Sequence, residues 1–186
     1  MPVGYRDYVK IIHAHQAKHS EYSSSGCGDY DYLFIIDYIL TNEPKCIVEY
    51  GSGYSTWLIN ELINDYKLDI YLISHEDSQQ YLEWILANLY VPREVINLTP
   101  VKACPELDTD IFKVGKYNDN LEAYPEVEMV ITDGPGPCQA GDFNVTDNYR
   151  LICEYQDTKI PHWIDGRKFT KQYYRELGYG DKILHY

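Results

Sequence analysis

The chain has 186 residues, a length that holds one hydrophobic core and predicts a single domain. Hydrophobic residues make up 45% and charged residues 24%, which excludes the disordered and fibrous classes. With 16 Lys and Arg against 29 Asp and Glu the net charge is −13, a field that repels phosphate backbones and anionic lipid, so neither nucleic acid nor a membrane surface is an expected partner.

Residues 1–28 carry His13, His15 and His19 in HAHQAKH and end in the breaker run SSSGCG. They read as a helix or arm, and a candidate lid, ahead of a main domain of residues 29–186. His13 and His15, two apart, would lie on different sides of a helix, which predicts exposed residues rather than a metal site. From Asp29, DYDYLFIIDYILTNEP repeats apolar residues at Leu33, Phe34, Ile36 and Leu40, the spacing of a helix with one buried stripe, and Asn42 to Pro44 stop it. CIVEY predicts a first strand ending at Gly51, and STWLINELIND a helix buried through Trp57, Leu58, Leu62 and Ile63. The pattern then recurs, with DIYLIS as a second strand and SQQYLEWILANLY as a helix capped by Ser78.

EVINLTPV predicts a third strand. Residues 102–125, with several Asp and Pro, are expected to form a surface excursion with a short strand in IFKVGKY. VEMVIT predicts a fourth strand, ending at Asp133 before GPGP, and FNVTDNYRLICEYQ a helix starting near Thr146 or Asp147. KIPHWID predicts a fifth strand that Pro161 restricts to an edge or a bulged path. FTKQYYREL is a helix closed by Gly178, and DKILHY a final strand.

Strands alternating with helices predict an α/β, Rossmann-like fold: a mostly parallel, twisted sheet with helices on both faces. Ligands of such sheets bind at the carboxyl ends of the strands. Those ends bring Glu49 with Gly51, Ser52, Gly53, Tyr54 and Ser55 after the first strand, Glu76 with Asp77 after the second, Asp133 after the fourth, and Asp165 with Gly166 and Arg167 after the fifth. The two glycines allow a sharp turn and a close ligand, and the helix starting near Ser55 points free amides at the same place. Glu76, 25 positions after Gly51, stands where nucleoside-binding folds put a carboxylate that accepts from ribose hydroxyls. Thr56 fills the slot in which the dinucleotide fingerprint needs a third small residue, which disfavours NAD.

VEYGSGYST resembles motif I of class I S-adenosylmethionine-dependent methyltransferases, and ISHEDSQQY resembles their second motif. VEMVITDGP resembles their fourth, and IDGR the acidic end of their fifth strand, so the resemblance spans roughly residues 30 to 175. It implies that Glu49 and the main chain of Gly51 and Gly53 hold the methionine part of the cofactor, that Glu76 takes the ribose hydroxyls, and that Ser52, Tyr54, Ser55 and Asp133 line the site. For the adenine contact Cys104 and Asp108 are both candidates. Asp133 and Asp165 are the catalytic candidates, because transfer to a hydroxyl needs an aligned acceptor and a group to take its proton. The same two carboxylates match part of the magnesium site of metal-dependent relatives, with Gly166 in place of the last ligand.

Arg150 and Arg167 are candidates for gripping an acidic substrate, with ion pairs to Asp133, Asp147 or Asp165 as the alternative. His75 and His162 neighbour the same edge, as bases or as neutral packing groups. Cys27, Cys46, Cys104, Cys138 and Cys153 are odd in number and contain no CxxC pair, which argues against a disulfide framework or zinc ribbon and predicts a cytoplasmic, reducing setting. The expected activity is methyl transfer from S-adenosylmethionine to an oxygen or nitrogen of a small polar acceptor, a sugar among the options. A non-catalytic module that binds the same cofactor, and an NAD or nucleotide-sugar enzyme, are the alternatives.

Overall fold

The computed structural model describes residues 4–19, 28–134 and 144–184. In chain order its elements are α1 (Tyr5–Gln16), α2 (Asp29–Asn42), β1 (Cys46–Tyr50), α3 (Tyr54–Tyr66), β2 (Tyr71–Glu76) and α4 (Gln79–Asn88). There follow β3 (Ile96–Leu98), β4 (Val101–Ala103), β5 (Val114–Tyr117), β6 (Met129–Thr132) and β7 (Val145–Thr146), and then α5 (Asn148–Tyr155), β8 (His162–Ile164) and α6 (Lys168–Glu176). Five strands form one sheet in the order β3-β2-β1-β6-β8, with every neighbouring pair parallel.

The central strands are mainly apolar because both of their faces are covered, and their polar residues, Glu49, Ser74 to Glu76 and Thr132, gather towards the carboxyl end. Successive side chains alternate: Ile47 and Met129 point into a core shared with α1 to α4, and Val48 and Val130 into a second core shared with α5, α6 and the smaller sheet. Helices therefore flank both faces, as the alternating pattern predicts. The chain runs outward from β1 through β2 to β3, then returns to β6 on the other side of β1. The reversal between β1 and β6 is the topological switch point at which open α/β sheets take their ligands.

Several local expectations need correction. The stripe of α2 is turned from the predicted one: Tyr32, Ile35, Ile36 and Ile39 are buried, while Leu33, Phe34 and Leu40 are only partly so. In α3 the buried set is Leu58, Ile59 and Leu62, with Trp57 and Ile63 at its margin. The third strand is cut at Pro100, so that Val101 to Ala103 leave the main sheet and pair antiparallel with β5. Residues 102–125 are thus no mere surface excursion. β4, β5 and β7 make a three-stranded second sheet, and Phe112, Val114 and Tyr117 sit in the second core.

Thr146 belongs to β7, and α5 starts two residues later. The expected last strand shrinks to a single bridge from Ile183 to His162 after a 3₁₀ turn. The segment expected as an arm holds α1, which packs Tyr8, Val9 and Ile12 into the first core and donates a hydrogen bond from the Tyr8 hydroxyl to Asp65 at 2.6 Å.

Candidate functional site at the carboxyl edge of the sheet

β1, β2, β6 and β8 end on one edge and deliver Glu49, Glu76, Asp133 and Asp165 to it. Glu49 is fully buried, facing Ser74 across the β1–β2 ladder. Its Oε2 accepts from the Thr56 hydroxyl at 2.5 Å and the Ser74 hydroxyl at 2.6 Å. Burial raises its pKa, and the hydroxyls of Ser55, Ser74 and Thr56 oppose that rise. Glu49 Oε1 and Ser55 Oγ nevertheless complete no hydrogen bond of good geometry among the described residues. Thr56 also accepts the Gly53 N–H at 2.8 Å, so the residue that departs from the dinucleotide fingerprint ties the turn, the helix start and Glu49 together.

Gly51 lies at φ +96°, in the left-handed region that favours glycine. Its N–H donates to the His75 carbonyl at 2.8 Å, and a Cβ there would come within 2.7 Å of the Asp133 carbonyl carbon. The first glycine is therefore required by the chain leaving β6, which crosses directly over it. Gly53 is extended and would meet only the Tyr81 hydroxyl, at 3.4 Å. Ser52 is buried and shares a hydrogen bond with Ser74 at 2.7 Å.

Glu76, only 3% exposed, accepts the Ser78 N–H at 2.9 Å. Ser78 itself caps α4 as predicted, accepting the Tyr81 N–H at 3.2 Å. Burial pushes the Glu76 carboxyl up to about 7, opposed by the N–H groups of Ser78, Ser52 and Asp77. Asp77, half-buried beside it, is also raised by burial. Burial, and after it the charges of Glu76 and Asp133, drive the Tyr81 phenol upward, so these side chains face one volume.

Asp133 and Asp165 hydrogen-bond to each other. Burial and then the Asp165 charge hold Asp133 well above the carboxylate range, and the bond from Asp133 offsets part of the rise that burial gives Asp165. Burial thus raises both carboxyl groups, which favours a proton retained within the pair. Arg167 donates from Nη2 to the Asp133 carbonyl and from its main-chain N–H to the Asp165 carbonyl, which fixes its guanidinium at the same edge. Among the described residues no three His, Cys, Asp or Glu side chains converge as a metal set.

Arg150 does not join the group. Its Nε binds both oxygens of Asp147 at 3.0 Å and its Nη1 binds Glu154 at 2.8 Å, an ion pair on α5 whose Asp147 side chain is fully buried. The two candidates for an adenine contact are engaged elsewhere: Cys104 is buried in the second core, and Asp108 accepts the Val114 N–H at 2.8 Å. His75 stacks on Tyr50 and bonds Thr99 and Tyr124 at 2.7 Å each, and burial lowers it to about 4. His162, fully buried, bonds Thr132 at 2.9 Å and is likewise pushed well down by burial. Both are neutral packing histidines.

Tyr54 closes the turn from the α1 side, with its hydroxyl 3.0 Å from His15 Nδ1. His15, near the end of α1, and His19, in the turn beyond it, stack on each other at 4.5 Å and lie edge-on to Trp84. His13 instead pairs with Asp29 at 2.6 Å on the surface. The SSSGC run, Cys27, Cys138 and the GPGP run beyond Gly134 lie outside the described residues.

One residue at this edge was not signalled by motif or spacing. Tyr117, the last residue of β5, is 1% exposed, and its hydroxyl lies 2.5 Å from where a Cβ on Gly134 would be. Only the V-G-K-Y alternation at the end of β5 hints that this tyrosine points inward. A depression of about 330 Å³ lined by Tyr124, Pro125, Glu126 and Tyr155 lies at the opposite, amino edge of the sheet and holds none of these groups.

No protein-family model, curated protein or solved structure matches this chain. No helix among the described residues is long and apolar enough to cross a membrane.

Proposed function

We propose that the carboxyl edge binds S-adenosylmethionine and that the chain is a methyltransferase acting on an oxygen or nitrogen of a small polar acceptor. The reading is carried by one observation: Glu49, Glu76 and Asp133, from three adjacent parallel strands, gather around the Gly51 turn at the switch point, with the Arg167 guanidinium at the same edge. A buried surplus of carboxyl groups whose pKa values are raised by desolvation favours a ligand that brings positive charge, and a sulfonium with an ammonium does so.

The residues present fit this ligand. Glu76 at the end of β2 has the position and chemistry to accept from a pentose hydroxyl, and Glu49 Oε1 is a buried acceptor that completes no hydrogen bond of good geometry among the described residues. Thr56, held against Glu49, weighs against a dinucleotide. When bound, S-adenosylmethionine supplies an electrophilic methyl group on a positively charged sulfur. The chain's own part is to exclude water, align the acceptor and receive its proton, and the Asp133–Asp165 pair is the candidate for the last.

Titration calorimetry with S-adenosylmethionine, S-adenosylhomocysteine and NAD tests the cofactor class. The expected result is binding of the first two and none of the third; binding of NAD alone overturns the reading. Incubation with labelled cofactor and a panel of small hydroxyl and amino acceptors tests turnover. Transfer to none of them would leave a binding module without catalysis.

A further inference from the structure

Tyr117 enters the carboxyl edge from the second sheet, whose β4 and β5 lie between the third and fourth strands of the main one and whose β7 follows the fourth. Its direction is fixed from three sides. The Asn148 side chain clamps its backbone, accepting the Tyr117 N–H at 2.7 Å and donating to its carbonyl at 3.0 Å. Its ring packs at 5.1 Å on Tyr50, which is itself held by a 2.5 Å bond to Asp119. Gly134 passes so close to the hydroxyl that any side chain there would strike it.

Thus oriented, the phenol is buried and has no hydrogen-bond partner among the described residues. A buried hydroxyl left without a partner forfeits a hydrogen bond it makes in water, so an orphan held this rigidly points to a ligand that completes it. Asp77, Glu76, Arg167 and Asp133 are the charged groups it feels, the same set that borders the proposed cofactor site. Burial and then the charges of Asp77 and Glu76 keep it protonated, so it can offer a proton but not a negative charge.

We infer that Tyr117 is a ligand-positioning residue whose hydroxyl donates to a neutral hydroxyl oxygen of the bound nucleoside. Asp77 and Glu76, which act on the phenol more strongly than Arg167, select that oxygen, because they oppose a carboxylate or phosphate, whereas a pentose diol has both protons for Glu76 and lone pairs for the phenol. This inference rests on the cofactor reading above. It adds a donor from the second sheet to the acceptor supplied by Glu76, so that the two hydroxyls of one sugar are read by opposite chemistries.

The test is Tyr117→Phe, which deletes only the hydroxyl, measured by calorimetry with S-adenosylhomocysteine and with its 2′-deoxy and 3′-deoxy counterparts, alongside thermal melting of the protein without ligand. The expected result is a loss of about fivefold or more in affinity for the parent compound, a loss that vanishes for one of the two deoxy compounds, and an unliganded melting temperature that does not fall. Tyr50→Phe, which removes a satisfied hydroxyl, should lower the melting temperature without that selectivity. Equal affinity of Tyr117→Phe and wild type for the parent compound, or the same loss with all three, overturns the inference while leaving the cofactor reading intact. Failure of the wild type to bind any of the three overturns both.

Discussion

Gly51 and Gly134 occupy the space in which each other's side chain would begin: a Cβ on Gly134 would lie 2.8 Å from Gly51 N, and one on Gly51 would press on Gly134 N and Cα. The ends of β1 and β6 are thereby brought to backbone contact, with the Gly134 and Asp133 N–H groups both reaching the Tyr50 carbonyl.

Gly51→Ala combines that collision with a left-handed backbone, and each is unfavourable by itself. We predict a loss of at least about 3 kcal/mol of stability in urea unfolding, more than an ordinary surface substitution brings. A change under about 1 kcal/mol would mean that the two segments move apart freely.

Glu76 makes the stability of the fold depend on pH. Its pKa stands near 4.5 in the unfolded chain and rises to about 7 in the folded one. The folded state therefore holds the proton more tightly. The associated stability is complete below pH 4.5 and is lost as pH climbs through about 7. Between pH 5 and 8 the wild type should lose stability of the order of 2–3 kcal/mol from this group, and Glu76→Gln should flatten that loss. Identical slopes for the two proteins in a series of urea titrations would refute the assignment. Glu76→Ala should also weaken S-adenosylhomocysteine binding by at least about 1 kcal/mol.

Thr56 is the donor to a fully buried carboxyl group. Thr56→Val keeps the shape and removes the hydroxyl, leaving Glu49 Oε2 with Ser74 and stripping the Gly53 N–H of its acceptor. Chemical denaturation should register a loss of about 1–3 kcal/mol. Adding Glu49→Gln to it should cost less than the sum of the two single changes, since they share one network.

Arg150 serves the fold rather than the site, held by Asp147 and Glu154. Arg150→Ala strands the buried Asp147 carboxylate and is expected to reduce stability by about 3–5 kcal/mol, with ligand affinity in the surviving folded protein unchanged. A selective loss of affinity with full stability would return Arg150 to the site.

The parallel sheet was legible because CIV, YLI and MVI are short apolar runs rich in β-branched residues, each leading into a glycine or an acid. The strand-end acids followed from that topology. The rotation of α2 did not, because Leu33 to Ile36 and Tyr38 to Leu40 place apolar residues nearly all round the helix, and only the packing of its neighbours selects Ile35, Ile36 and Ile39. The second sheet stayed hidden for a different reason. Its strands are two to four residues long, and β5 meets β7 across a sequence gap that no local pattern spans. With that sheet unseen, Tyr117 had no route to the edge where the structure puts it.

The lateral borders of the main sheet are its shortest strands. β3 runs for three residues before Pro100 turns it away, and β8 for three after Pro161, with Ile183 pinned alongside. A foreign strand seeking to extend the sheet by main-chain pairing finds no long, straight template on either flank. The long strands that would make good seeds for polymerisation are all interior, so the fold guards itself against edge-to-edge stacking by the brevity of its borders.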